Sequence, residues 1–114
     1  MKQLMMMCLL AVTCAGSAVA HSGVEDTTPA RDSTVAAVEA IEMRFDDPMR
    51  VTAVTLTGPD GDITIQRETG MDAVTEFRAL PTDALPAGPY TVDWRGLSAD
   101  GHPMQGSFAF TVAE

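Results

Sequence analysis

The chain has little cysteine and little lysine, and both residue types are confined to its first twenty positions. Cys8, Cys14 and Lys2 are their only occurrences. Beyond them, six arginines stand against sixteen acidic residues, and the formal net charge of the whole chain is −9. This balance argues against binding to nucleic acid or to an anionic membrane surface. No recognisable pairing of a nucleophile with a base occurs either, so the sequence predicts that the protein is not an enzyme.

The first twenty residues have the pattern of a cleaved export signal. Lys2 supplies a positive start, Met5 to Val12 form an apolar run, and residues 18–20 read Ala-Val-Ala, a small-residue cleavage site. The apolar run is shorter than the roughly 20 residues that span a bilayer. We therefore expect a signal peptide over 1–20 and a mature exported domain over 21–114, not inserted in a membrane. Lipid attachment at Cys14 is the alternative.

The remaining sequence alternates apolar and polar residues with a period of two, as strands with one buried face do. Turn-forming residues interrupt the alternation, at Asp47-Pro48, at 58–61, at 86–89 and at Asp100-Gly101. Several short strands separated by such turns predict an all-β sandwich. The apolar rows expected to face the core are Ile41, Met43 and Phe45; Val54 and Leu56; Ile63 and Ile65; Tyr90, Val92 and Trp94; and Phe108, Phe110 and Val112.

The chain contains two histidines, and each has a context that suits metal binding. Cleavage after Ala20 would make His21 the first residue, whose α-amine and ring nitrogen can chelate a metal together. His102 follows Asp100 by two positions, so in an extended segment both side chains would face the same side. Taken alone, the Asp-Gly-His-Pro segment is more often a turn, because Asp-Gly is a common hairpin signal. The donors would be three nitrogens and one oxygen, a set that favours Cu(II). His21, Asp100 and His102 are therefore the predicted metal ligands.

The segment 88–108 closely resembles the signature of the CopC family of copper-binding proteins. That signature runs Gly-x-Tyr-x-Val-x-Trp-x-x-x-Ser-x-Asp-Gly-His-x-x-x-Gly-x-(aromatic), and every fixed position is matched here. His21 followed by Pro29-Ala30 is similar to the family's opening, and Phe45 to Pro48 is similar to its Phe-Ser-Glu-Pro. The resemblance is weakest over residues 59–85.

The resemblance implies a Greek-key, immunoglobulin-like β-sandwich that binds Cu(II) in the periplasm, as a copper carrier or buffer in copper resistance and homeostasis. By position, His21 matches the N-terminal chelating ligand, Asp100 the carboxylate and His102 the second imidazole. A copper transporter of the CopD kind in the inner membrane is the partner that the family suggests. The mature methionines are scattered and lack an accompanying histidine, so the separate methionine-rich Cu(I) site of some members is not expected.

The sequence leaves several points open. Asp47 falls at the family's acidic position, and Met49 and Met104 are candidates for soft contacts near copper. One alternative function is a copper-dependent oxidative enzyme with an N-terminal histidine brace, although Asp100 would then fill a position that oxygen chemistry needs. The other is a metal-free immunoglobulin-like adhesion or assembly module.

Overall fold

The structure is a computed structural model that describes residues 23–114. The signal peptide expected over 1–20 and the proposed ligand His21 lie outside the described residues. The described part of the chain forms eight strands and contains no helix, and hence none long and apolar enough to cross a membrane. The strands are β1 (Val24–Thr28), β2 (Thr34–Val35), β3 (Ile41–Gly58), β4 (Gly61–Ile63), β5 (Ile65–Arg67), β6 (Val74–Pro81), β7 (Gly88–Ser98) and β8 (Pro103–Val112).

The 18-residue strand β3 organises the fold because its two halves pair with different strands. Residues 41–45 lie between β1 and β6, residues 49–57 pair with β7, and residues 56–58 pair with β4 on their other side, all antiparallel. A register shift between Arg44 and Met49 lies where the strand passes from one set of partners to the other, and a second shift, between Val51 and Ala53, interrupts the pairing with β7. The hydrogen-bonded order is β2-β8-β7-β3-β6-β5. Irregularities of this kind bend a strand, which lets one strand serve both layers of a sandwich.

The core lies where the predicted apolar rows meet. Ile41, Leu56 and Val92 are completely buried. The Phe45 and Trp94 rings meet edge to face at a centroid distance of 5.3 Å, which joins the first half of β3 to β7. The alternation thus identified the inward faces of β3, β7 and β8 correctly, and the predicted all-β sandwich is confirmed. The buried apolar residues are Ala40, Ile41, Met43, Phe45, Met49, Val51, Leu56, Phe77, Ala79, Tyr90, Val92, Trp94, Phe108, Phe110 and Val112.

One predicted row is divided between two strands. Ile63 ends β4, which pairs with β3, whereas Ile65 begins β5, which pairs with β6. The chain changes partner at Thr64, whose carbonyl accepts a hydrogen bond from the Thr82 N–H at 3.2 Å. Both isoleucines are partly buried against the core. The alternation with a period of two therefore continues across the break, although the two residues belong to different strands.

The β7–β8 hairpin carries the predicted ligands Asp100 and His102 at its tip. Its strands pair continuously from Gly88 opposite Val112 to Leu97 opposite Pro103. Ser98, the last residue of β7, also pairs with Met49, so the hairpin tip lies beside the bend of β3. Gly23 reaches the same bend, since its carbonyl accepts a hydrogen bond from the Asp46 N–H at 3.0 Å. The described chain therefore begins at the end of the sandwich that holds the tip.

Candidate metal site

The tip is a tight turn rather than an extended segment. The Ser98 N–H donates to the His102 carbonyl at 2.9 Å, and the Gly101 N–H donates to the Ser98 carbonyl at 2.8 Å. Gly101 has a φ of +85°, in the left-handed region. A three-residue loop with glycine in this conformation is a common hairpin connection. The hairpin alternative is therefore the correct one, and the extended geometry that first suggested a shared face does not occur.

The turn nevertheless brings the two predicted side chains together. His102 Nδ1 lies 2.8 Å from Asp100 Oδ2. An ionised carboxylate only accepts, so the ring nitrogen is the donor of this hydrogen bond. Glycine is needed here for its φ rather than for space, because a Cβ added to Gly101 would meet nothing within 4 Å. The backbone of the turn thus sets the spacing of the pair.

Ser98 is the third polar side chain of the turn, and it was not among the predicted site residues. Its hydroxyl donates to Asp100 Oδ1 and accepts the His102 N–H at 3.1 Å. Only the Ser-x-Asp-Gly-His spacing could have pointed to it. Serine hydroxyls commonly bond to groups two to four residues away, although the spacing alone does not say which group they choose.

Hydrogen bonding keeps the Asp100 carboxylate ionised. The Ser98 hydroxyl and then the His102 ring lower the pKa of Asp100 from 3.8 to about 2. The side chains of Asp100 and His102 are 69 % and 75 % exposed, so an ion in solution can reach both. Such an exposed pair contributes little to the stability of the fold, since water and salt screen it. The arrangement suits ligand binding better than it suits structural support.

The three further residues considered near copper, Asp47, Met49 and Met104, lie in different environments. Met49 is buried and lies beneath Gly96, where its Sδ would be 3.2 Å from an added Cβ. Met104 is half-buried and packs against the core. Asp47 is exposed, and its neighbour Asp46 is the acid beside Gly23. Within residues 23–114, no three histidine, cysteine or acidic side chains gather into a metal-binding group.

Comparison with known proteins assigns the family. The family model of the CopC domain matches residues 24–113. The chain belongs to the CopC family. Copper resistance protein C of Escherichia coli is 36 % identical over 107 residues, covering 84 % of each chain. The namesake from Pseudomonas syringae pv. tomato is 31 % identical over 105 residues, covering 83 % of this chain and 82 % of the relative.

A solved structure agrees with the fold. The crystal structure of PcoC, a methionine-rich copper resistance protein from Escherichia coli, superposes with a TM-score of 0.66 at 33 % identity. The match covers 78 % of this chain and 95 % of that one. The resemblance to the CopC family is confirmed. The names of these relatives describe copper resistance rather than a catalysed reaction, in agreement with the prediction that the protein is not an enzyme.

Proposed function

We propose that the protein is a periplasmic Cu(II)-binding protein that carries or buffers copper, with His21, Asp100 and His102 as its ligands. The observation that carries the proposal is the Asp100–His102 pair, held at 2.8 Å in an exposed turn. Membership of the CopC family supports copper as the metal. Imidazole and carboxylate without sulfur suit Cu(II), the divalent ion at the top of the affinity order.

The spacing of the pair fits direct binding. Imidazole nitrogens and carboxylate oxygens bind a first-row ion such as zinc at about 2.0 to 2.2 Å, so two donors at a right angle lie about 2.8 to 3.1 Å apart. Nδ1 and Oδ2 are 2.8 Å apart, so once the proton between them is lost, reorientation of the two side chains would let both atoms bind one Cu(II) ion without a change in their separation. In a second arrangement Nε2 binds the ion, while Asp100 holds Nδ1 and orients the ring. His102 is a ligand in both arrangements.

The path of the chain supports His21 as the further ligand. A Cβ added to Gly23 would lie 3.5 Å from Met49 Cε, and Met49 pairs with Ser98 at the base of the turn. Neighbouring strands are about 4.8 Å apart, and two extended residues span about 7 Å. Gly23 lies at the end of the sandwich that holds the Asp100–His102 pair, and a ligand two positions earlier would have about this span available to reach it.

The amino terminus is part of this proposal because chelation by His21 needs its free α-amine. A signal peptide over residues 1–20 would direct the protein to the periplasm, and its removal would create that amine. A solvent-exposed site can also pass its ion to another protein. An inner-membrane copper transporter of the CopD kind is the proposed partner.

The test is a Cu(II) titration, against a competing chelator, of protein that begins at His21. We expect one equivalent to bind, with the spin-resonance spectrum of a tetragonal nitrogen–oxygen site. The matched control carries an added Gly-Ser before His21, which removes the chelating amine and leaves residues 23–114 unchanged. It should fold normally and bind Cu(II) orders of magnitude more weakly. Equal affinity of the two proteins would contradict the assignment of His21.

A further inference from the structure

Among residues 23–114, Ser98 is the one residue whose side chain hydrogen-bonds to both Asp100 and His102. Its hydroxyl proton goes to Asp100 Oδ1, which leaves Oδ2 directed at His102 Nδ1. Its oxygen accepts the backbone N–H of His102 at 3.1 Å. A serine hydroxyl has one proton to donate and two lone pairs, so it can perform both tasks at once.

These two bonds act on different degrees of freedom. The bond to Asp100 restricts rotation of the carboxylate, and the bond from the His102 N–H fixes the backbone from which the imidazole projects. Asp100 and His102 are themselves largely exposed, so core packing does little to hold them. Without the hydroxyl, the carboxylate and the imidazole would each sample other rotamers in water.

Backbone hydrogen bonds close the turn independently of the Ser98 side chain. The Ser98 N–H to His102 carbonyl bond and the Gly101 N–H to Ser98 carbonyl bond need only main-chain atoms. Pairing of β7 with β8 continues from Leu97 opposite Pro103 down the hairpin. Loss of the hydroxyl should therefore leave the hairpin formed while its ligand side chains become mobile.

We infer that Ser98 is a positioning residue, whose hydroxyl holds Asp100 and His102 in a metal-ready arrangement before copper arrives. The inference rests on the proposed function, because it assigns a role within the same site. Partners that orient metal ligands typically affect metal affinity by about 10- to 100-fold. Ser98 should act through the ligands, without contacting the metal.

The test compares Ser98→Ala with Ser98→Thr, which keeps a hydroxyl, and with Ser107→Ala, which removes an exposed serine elsewhere on the hairpin. We expect Ser98→Ala to bind Cu(II) about 10- to 100-fold more weakly. Ser98→Thr should recover most of that affinity, and Ser107→Ala should match the parent protein. The melting temperatures of the metal-free proteins should stay close together, since the backbone bonds of the turn persist.

A second measurement uses the metal-free protein and does not depend on copper binding. Amide hydrogen exchange of His102, followed by NMR, should accelerate in Ser98→Ala and not in Ser107→Ala. Unchanged exchange, or unchanged Cu(II) affinity in a protein whose affinity does depend on His102, would overturn the role of Ser98. Affinity that does not depend on His102 would instead contradict the proposed function, while accelerated exchange would still support Ser98 as the organiser of the turn.

Discussion

Two hairpin turns of this protein contain the same Asp-Gly dipeptide and serve different purposes. One joins β3 to β4 and contains Asp60-Gly61, and the last paired residues of the two strands are Gly58 and Gly61. The other joins β7 to β8 and contains Asp100-Gly101. The glycine of each dipeptide has a positive φ, +116° at Gly61 and +85° at Gly101. The dipeptide therefore produces a turn in both places, and the residues around it determine what each turn does.

The β3–β4 turn is packed against the core. A Cβ added to Gly58 would lie 2.7 Å from the Tyr90 ring, and one added to Gly88 would lie 2.6 Å from Pro59. Burial, and to a lesser extent the charge of Asp60, raises the pKa of Tyr90. This turn is fitted closely to an aromatic side chain that stacks on Phe110, which makes it part of the framework.

In the β7–β8 turn, the residues around the Asp-Gly dipeptide are polar. Ser98 precedes its Asp-Gly and His102 follows it, and their hydrogen bonds converge on Asp100. Both ligand side chains stand in solvent. The serine before the dipeptide and the histidine after it thus make a common turn a candidate metal site, and neither ligand side chain is part of the core.

The largest expected difference between the turns is in copper affinity. His102→Ala should lower Cu(II) affinity by more than about 100-fold, since loss of a ligand should exceed the 10- to 100-fold effect of losing an orienting partner. Asp60→Ala should have no effect, because Asp60 lies in the other turn. Competition titrations of both variants make the comparison. Equal affinities would mean that the β7–β8 turn does not hold the metal.

Gly58→Ala should mainly reduce stability. The added methyl group would press on the Tyr90 ring at 2.7 Å, and overpacking of this kind costs about 1 to 3 kcal/mol. Denaturant unfolding of the metal-free protein measures the loss. Cu(II) affinity should be unchanged in the folded variant, and a parallel loss of affinity would show that the two ends of the sandwich are coupled.

Gly101→Ala should reduce both stability and affinity. The residue has room for a methyl group, so the cost is that of a left-handed backbone, about 1 to 2 kcal/mol. Any relaxation of the turn separates Nδ1 from Oδ2 and weakens binding. Gly101→Asn is the matched variant, because asparagine tolerates this conformation, and it should retain more of both properties. An alanine variant with full affinity would show that the turn geometry does not set the site.

The smallest effect concerns acid stability. The pKa of Asp100 is lowered in the folded protein to about 2, so its contribution to stability is complete above about pH 4 and is lost as the pH falls toward 2. Asp100→Asn removes that contribution. Its metal-free stability should therefore decline less steeply between pH 4 and 2 than that of the parent protein. Unfolding titrations at several pH values test this, with Asp60→Asn as the control for loss of a turn carboxylate.

The sequence predicted the fold better than it predicted the geometry of the site. Alternation identified the buried faces of β3, β7 and β8, because burial of one strand face is a local pattern with a period of two, but it missed Phe77 and Ala79 on β6. It also placed Ile63 and Ile65 on the core side correctly, but it did not show that the chain changes partner strand between them. That change depends on long-range pairing, which local patterns do not encode.

At the site, the prediction that Asp100 and His102 lie together is correct, but the extended geometry on which it was based is wrong. Asp100 and His102 meet through a left-handed glycine turn rather than through strand alternation. The role of Ser98 was missed because its two hydrogen bonds exist only once that turn has closed. His21 as a ligand stays a prediction, supported by the position of Gly23 beside the bend of β3.

The location of bound Cu(II) along the chain directly tests whether the copper site lies at the β7–β8 turn. A small amount of Cu(II) added to nitrogen-15-labelled protein beginning at His21 broadens the NMR signals of amides near the ion. The two turns lie roughly 20 to 25 Å apart along β7, so their responses can be separated. We predict early loss of the Gly23, Gly101 and His102 signals, with those of Asp60 and Gly61 retained. Broadening centred on Asp60 and Gly61, or spread evenly over the acidic surface, would contradict a copper site at the β7–β8 turn.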